Sequence, residues 1–226
     1  MLILAIDTSG PSGGITLAEA AENSFRVIES APIAGGTFSA QLIPALATLL
    51  SKHGFTAKDL GGFAAASGPG SFTGLRVGLS AIKGLAEVLH KPIAVVSVLE
   101  ALAASSERAE KVAAALDAGR KEAFLGLYNV AGGTAVLDRE QLISQGDLSG
   151  TIRNAGCDLL ITSDASIAQL ASATNIHVQL VPRPGSEAVA RLGARKLLAG
   201  HTISVEALDA NYLRRSDAEL FFKGPR

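Results

Sequence analysis

Two short stretches of the chain bring together the residue types from which ligand chemistry is built. The first is DTSGPSGG at residues 7–14, which follows the apolar run LILAI. It gathers a carboxylate (Asp7), two hydroxyls (Ser9 and Ser12) and the amide of Gly10 within one turn. Amides and hydroxyls in such a turn can hold an anion, and a carboxylate can meet a magnesium ion through water. The same residues are ordinary turn formers. On residue types alone, an anion site at Asp7, Ser9, Gly10 and Ser12 and a plain hairpin turn stand level.

The second stretch is SGPGSFTGLRVGLSAIKGLA at residues 67–86. A phosphate loop of the GxxxxGK[ST] type needs a lysine, and here Leu75 follows the last glycine. A dinucleotide loop needs GxGxxG, and Gly74 falls one residue late after Gly68 and Gly70. The stretch therefore reads as a turn entering a helix, with Ser71 as N-cap. Gly74, Gly78 and Ala81 then form a stripe of small residues that lets another element come close. A glycine inside a helix costs about 1 kcal/mol relative to alanine, so two of them signal a need for close packing. The element that comes close is either the chain's own sheet or a partner.

Other chemistry has less support. The four histidines, His53, His90, His177 and His201, show no ligand spacing, and three fall at expected element ends. A metal hydrolase needs clustered ligands. A single cysteine, Cys157, excludes an intramolecular disulfide and a cysteine zinc site, and fits a reducing compartment. A formal net charge of -1 gives no basic field for nucleic acid. No apolar run approaches the roughly 18 residues of a membrane helix, and the first residues lack a basic leader region. The expectation is a soluble cytoplasmic protein.

These stretches need elements to hold them. Hydrophobic residues make up 48% and charged residues 18%, enough for a substantial core. Three strands are expected first, then a helix over FSAQLIPALATLLSKHG, a buried strand at GGFAAAS, the helix to about Leu89, a strand at PIAVVS and a helix at VLEALAASS. The second half repeats that order. It has strands at KVAAALDAG, EAFLGLYNV and AVLDREQLIS, a helix at GDLSGTIRNAG, a strand at DLLITSD, a helix at ASIAQLASAT and a strand at IHVQLV. An amphipathic helix at GSEAVARLGARKLLAG completes it. Two similar α/β lobes follow.

Five of these pieces fit one family in order and spacing. LAIDTSG, ASGPGSFTGLRVGLSAIKGLA, PIAVVSVLEALA, LDAGRKEAFLGLYN and NYLRRSDA resemble the bacterial TsaB (YeaZ) family of tRNA threonylcarbamoyladenosine biosynthesis proteins. The resemblance spans nearly the whole chain. It implies a two-lobed actin-like fold of the sugar kinase, Hsp70 and actin superfamily. Residues 1–99 would form the first lobe with partner-docking helices and 100–226 the second, with the last segment able to pack back on the first. It also implies a non-catalytic subunit that binds and activates the catalytic paralogue TsaD and works with the ATPase TsaE. The product is the threonylcarbamoyl group on N6 of the adenosine 3′ of the anticodon in tRNAs reading codons that begin with A. tRNA would be met through the complex, and a homodimer of the isolated chain is the other assembly.

In the catalytic paralogue, the pattern NHLEGH places two metal-binding histidines four residues apart on one helix face. Here the stretch is SVLEAL, with Val98 and Leu102 in their places. The actin-like fold puts the Asp7 turn under a nucleotide's phosphates. In the second half, however, DAGRKEAF and LITSDAS lack the paralogue's glycines. That leaves no firmly bound cofactor, only a weak ATP or ADP contact in the complex, and argues against an independent ATPase. Phe38 and Ala40 replace the His and Glu of a family HSE pattern.

The resemblance favours a partner on the two helices, with Leu42, Leu46, Leu75, Gly78, Leu79 and Ile82 as interface. Gly78→Leu or Leu79→Asp is then expected to block docking in a folded chain. The tail's Arg214, Arg215, Lys223 and Arg226 could touch tRNA phosphates, or form a solvated edge whose Tyr212, Phe221 and Phe222 pack on a lobe. The rival reading is an enzyme, either a nucleotide-dependent phosphotransferase or a glycoprotease-type peptidase.

Overall fold

A computed structural model describes residues 1–107 and 110–214. Leu2–Asp7 (β1), Ser12–Ala21 (β2) and Ser24–Ala34 (β3) form an antiparallel meander. Phe38–Lys52 (α1) leads to Leu60–Gly68 (β4), which runs parallel to β1. Phe72–Leu89 (α2) then crosses back to Ile93–Ser97 (β5), parallel to β4. The first sheet has the order β3-β2-β1-β4-β5.

Val98–Ala103 (α3) starts the second half. It continues with Glu110–Gly119 (β6), Glu122–Ala131 (β7), Thr134–Ser144 (β8), Leu148–Asn154 (α4), Leu159–Thr162 (β9), Ala165–Ser172 (α5) and His177–Leu180 (β10). Its sheet has the order β10-β9-β6-β7-β8, the first sheet's order over again. Ser186–Leu198 (α6) closes the described helices. The sequence did not signal two single-turn 3₁₀ helices, at Ala57–Asp59 and Gln145–Asp147.

The two sheets and their helices stack in layers. Leu42, Leu46 and Leu49 of α1 and Leu75, Leu79 and Ile82 of α2 bury against Leu4, Ile6, Leu17 and Phe63 on one face of the first sheet. Between the sheets lie α3 and α6, whose Leu99, Leu102, Val189 and Leu192 join Ile3, Ala64 and Val96 to Val112, Leu116 and Tyr128 in one core. The far face of the second sheet is covered by Ile152 of α4 and Ile167 of α5. Alanines on the inner face of the first sheet let α6 lie close. A Cβ on its Gly193 would overlap the methyl of Ala64.

Local signals explain the element ends. Ser71 Oγ accepts from the Gly74 amide at 3.2 Å and starts α2. His90 ends it in the left-handed region at φ 51°. Ser97 and Glu100 form a capping box on α3.

The segment after α6 returns to the first lobe. Ile203 bridges to Ile93, Leu208 is buried in that lobe's core, and the Asn211 amide donates to Ser67 O at 2.7 Å. Arg214 then reaches across, donating to Ala118 O at 2.7 Å and pairing with Glu122. Arg215, Phe221, Phe222, Lys223 and Arg226 lie outside the described residues. Among those described, no helix is long and apolar enough to cross a membrane.

Candidate functional site

The β1–β2 turn and the β4–α2 turn meet. Ser71 N donates to Ser9 O at 2.7 Å, and Thr8 Oγ1 donates to Gly74 O at 2.7 Å. Three glycines, spaced by four, make the approach possible. A Cβ on Gly70 would overlap Ser9 O, one on Gly74 would overlap Thr8 O, and one on Gly78 would overlap Thr8 Oγ1. The glycines of α2 therefore seat a turn of this chain. Gly78→Leu would strike that turn, and Leu79 is buried under α2. Both substitutions would strike the fold itself, so neither separates docking from folding.

The four candidates of the first turn divide between two cavities. Ser9 and Gly10 line a cleft of about 910 Å³ between the lobes, with Gly70, Ser71, Asp117 and Arg183 around them. Asp7 and Ser12 line a smaller neighbouring cavity of about 340 Å³ with Ser186 and Glu187. Asp7 is buried, and its Oδ1 accepts from the Ser9 amide at 2.9 Å. The second lobe repeats this detail, since Asp117 Oδ1 accepts from the Gly119 amide at 2.7 Å. The Asp117 amide is itself held by Asp164 at 2.6 Å, and Gln145 Nε2 donates to its carboxylate at 3.2 Å. Sequence reasoning missed Arg183. It stands in a VPRPG loop with no motif, yet it lines both cavities.

The two positions that the resemblance sets against the paralogue's histidines are closed to any ligand. Val98 and Leu102 are buried in the core between the sheets. On the same short helix, Glu100 pairs with Lys196 at 2.7 Å and accepts from the Ser97 amide at 3.3 Å. His53 follows α1, His90 caps α2 and His177 opens β10, so these three sit at element ends. Among the described residues no group of three or more His, Cys, Asp or Glu could hold a metal ion. Phe38 is buried against Gly13, and Ala40 is exposed on α1. Cys157 is buried, and burial pushes its thiol up from its ordinary range.

A carboxylate fastens the lobes behind the cleft. Glu140 of β8 accepts from Tyr128 Oη, from Ser97 Oγ at the start of α3 and from Asn211 Nδ2 of the returning segment. Burial, and then the Glu140 charge, push the Tyr128 phenol far above its ordinary value.

The outer side of α1 and α2 is different in kind. Leu42, Leu46, Leu75, Gly78, Leu79 and Ile82 all face inward and are buried. The surface above them carries Ile43 and Ala47 from α1 and Val77, Ala81, Leu85 and Val88 from α2. Ile43 is 50% exposed and Val88 is 76% exposed. Val77, Ala81 and Leu85 are half-buried against the core, and polar Gln41, Thr48, Thr73, Arg76, Ser80, Lys83 and Glu87 are exposed among the apolar positions.

The family model described as TsaD: tRNA N6-adenosine threonylcarbamoyltransferase matches residues 32–207. The tRNA threonylcarbamoyladenosine biosynthesis protein TsaB of Bacillus subtilis strain 168 is 30% identical over 237 residues, covering 97% of this chain and 96% of the relative. Its namesake from Haemophilus influenzae is 32% identical over 127 residues, covering 55% of this chain and 52% of the relative. A Pseudomonas aeruginosa crystal structure, described as an uncharacterized protein with similarity to peptidase YEAZ, superposes with a TM-score of 0.77. It is 26% identical over 94% of this chain and 99% of that one. The repeated sheet order, the shared core between the lobes and these likenesses agree: the chain has the two-lobed actin-like fold and belongs to the TsaB (YeaZ) family.

Proposed function

We propose that the chain is a non-catalytic subunit required for tRNA threonylcarbamoyladenosine formation, acting by binding and activating a TsaD-type catalytic subunit. The group would be placed on N6 of the adenosine 3′ of the anticodon in tRNAs reading codons that begin with A. The observation that carries this reading is the replacement of two ligating side chains by Val98 and Leu102 in a chain that keeps the family's fold. Neither an isopropyl nor an isobutyl group can ligate a metal. A chain built this way supports the reaction by contact, favouring the active arrangement of its partner.

The docking surface is the outer side of α1 and α2. Leu42, Leu46, Leu75, Gly78, Leu79 and Ile82 set its shape from beneath, while Ile43, Ala47, Val77, Ala81, Leu85 and Val88 meet the partner. Small residues on two neighbouring helices suit a second helix pair packed across them. A TsaE-type ATPase completes the assembly, tRNA is met through it, and a second copy of this chain can occupy the same surface when the partner is absent.

A drop-out assay tests the reading. The catalytic partner, the ATPase partner, the adenylate-forming enzyme, threonine, bicarbonate, ATP and tRNA are combined with and without this chain, and modified adenosine is measured. Product only in its presence is expected. Equal product without it would sink the proposal.

A further inference from the structure

The segment after α6 crosses from one lobe to the other through Asn211, Tyr212, Leu213 and Arg214, all at the edge of the cleft. One set of contacts fastens it to the first lobe. The Asn211 amide donates to Ser67 O at 2.7 Å, and Tyr212 Oη accepts from Arg76 Nε of α2 at 3.1 Å. The Tyr212 ring lies 5.0 Å from that of Phe72, tilted by 36°, and the Arg76 guanidinium stands 3.8 Å from the Phe72 centroid. Arg76, Phe72 and Tyr212 thus form one stack at the start of α2. A second set fastens the segment to the second lobe. Asn211 Nδ2 donates to Glu140 of β8, and Leu213 packs against the core between the sheets. Arg214 donates to Ala118 O at 2.7 Å and to Gly119 O at 3.3 Å, and pairs with Glu122.

What Arg214 holds is a strained piece of backbone. The β6–β7 hairpin turns through Arg120 at φ 56° and Lys121 at φ 61°. Both sit in the left-handed region, where such turns favour asparagine and glycine. Side chains like these persist there only where the surroundings hold them. The Ala118 and Gly119 carbonyls bound by Arg214 lead directly into this turn. The contacts on the α2 side are open to water, for Arg76 is exposed and Tyr212 is 38% exposed. Hydrogen bonds and cation–π contacts gain strength when water is excluded from them. Arg76 adjoins the half-buried Val77 on the outer side of α2, so a body seated there covers the stack.

We propose that residues 211–214 are a strap between the lobes, through which a protein partner seated on the outer side of α2 fixes the β6–β7 hairpin of the second lobe. The coupling rests on that side of α2 being the docking surface. The strap has two states. When fastened, Tyr212 lies on Phe72 and Arg76 while Arg214 holds the hairpin carbonyls. When released, the ring leaves the stack and the strained turn relaxes. Exposed polar contacts hold the fastened state only weakly in the isolated chain. The partner dries a stack that exists only in the fastened state, and so shifts the balance toward it. Docking on the outside of the first lobe thereby sets the shape of a turn in the second.

Amide hydrogen exchange, read by mass spectrometry on the full-length chain, follows the hairpin peptide 116–124 and the peptides of α2. In the isolated chain, Tyr212→Ala should speed exchange of the hairpin at least about tenfold. Arg76→Gln should act in the same direction. Arg195→Gln, which frees α6 from Gly133 O instead, should leave the hairpin unchanged. Saturating catalytic partner should slow the hairpin at least about fivefold in the parent and have no effect on it in Tyr212→Ala. Unchanged hairpin exchange in Tyr212→Ala or in Arg76→Gln, or equal slowing by the partner in parent and variant, would overturn the strap. Protection of α2 by the partner with no change at the hairpin would overturn the strap alone. A partner that binds without protecting α2 would overturn the docking surface and the strap together.

Discussion

Gly78 faces two opposed effects. Alanine gains about 1 kcal/mol of helix propensity over glycine. Its Cβ, however, would overlap Thr8 Oγ1, which is tied to Gly74 O at 2.7 Å. Overpacking of this kind costs about 1–3 kcal/mol. Gly78→Ala is therefore expected to lower the urea midpoint, and a midpoint at or above the parent's would refute the role assigned to this glycine. Tyr128 supplies a second residue-scale prediction. Its phenol is raised above its ordinary value of 10.0, so the folded chain keeps the proton after the unfolded chain loses it. Stability from this group is complete below pH 10.0 and falls as pH rises beyond it. Of the two tyrosines, the native chain should show one fewer phenolate than the denatured chain in an alkaline absorbance titration. Some of this chemistry was legible from residue types. The sequence shows apolar Val98 and Leu102 where the resemblance sets the paralogue's histidines, and the structure buries both. Arg183 was not legible, because its partners Ser9 and Pro69 lie 174 and 114 residues away and only the folded cleft joins them.

At the scale of elements, the apolar period located α1 and α2, and the structure buries its Leu42, Leu46, Leu75, Leu79 and Ile82 within the chain. A helix with one strongly apolar stripe uses it first on its own sheet, as Leu42, Leu75 and Ile82 do. The outer side is weaker in the sequence, a mixture of small, polar and charged residues with Ile43 and Val88 standing out. Val88→Asp, alone and combined with Ile43→Asp, should weaken binding to the catalytic partner at least about tenfold, or 1.4 kcal/mol. Both positions are exposed, so circular dichroism and the urea midpoint should stay close to the parent's. Unchanged binding would move the docking surface elsewhere. The strands were read well because each alternates or runs apolar between turn residues. The two 3₁₀ turns gave no signal, since three residues are too few to show a period.

At the scale of the whole molecule, the two lobes share the core in which α3 and α6 lie, and Glu140 draws Tyr128, Ser97 and Asn211 together beside it. Removing that carboxylate leaves three donors without their acceptor, at about 1–3 kcal/mol for each group left buried and unpaired. Glu140→Ala should lower the urea midpoint and raise the protease sensitivity of the returning segment 203–214. A change in neither would show the contacts to be idle. The repeated order of elements was legible in the sequence, but the placement of α6 was not, because its pattern says only that one face is buried. It covers the first sheet, although β5 ends at Ser97 and α6 begins at Ser186. This has a consequence for birth on the ribosome. The inner face of the first sheet is translated about ninety residues before its cover, a wait on the order of ten seconds at typical elongation rates. Through that interval Ile3, Ala64 and Val96 have α3 beside them but lack their contacts with α6, leaving apolar surface of the kind a holding chaperone binds.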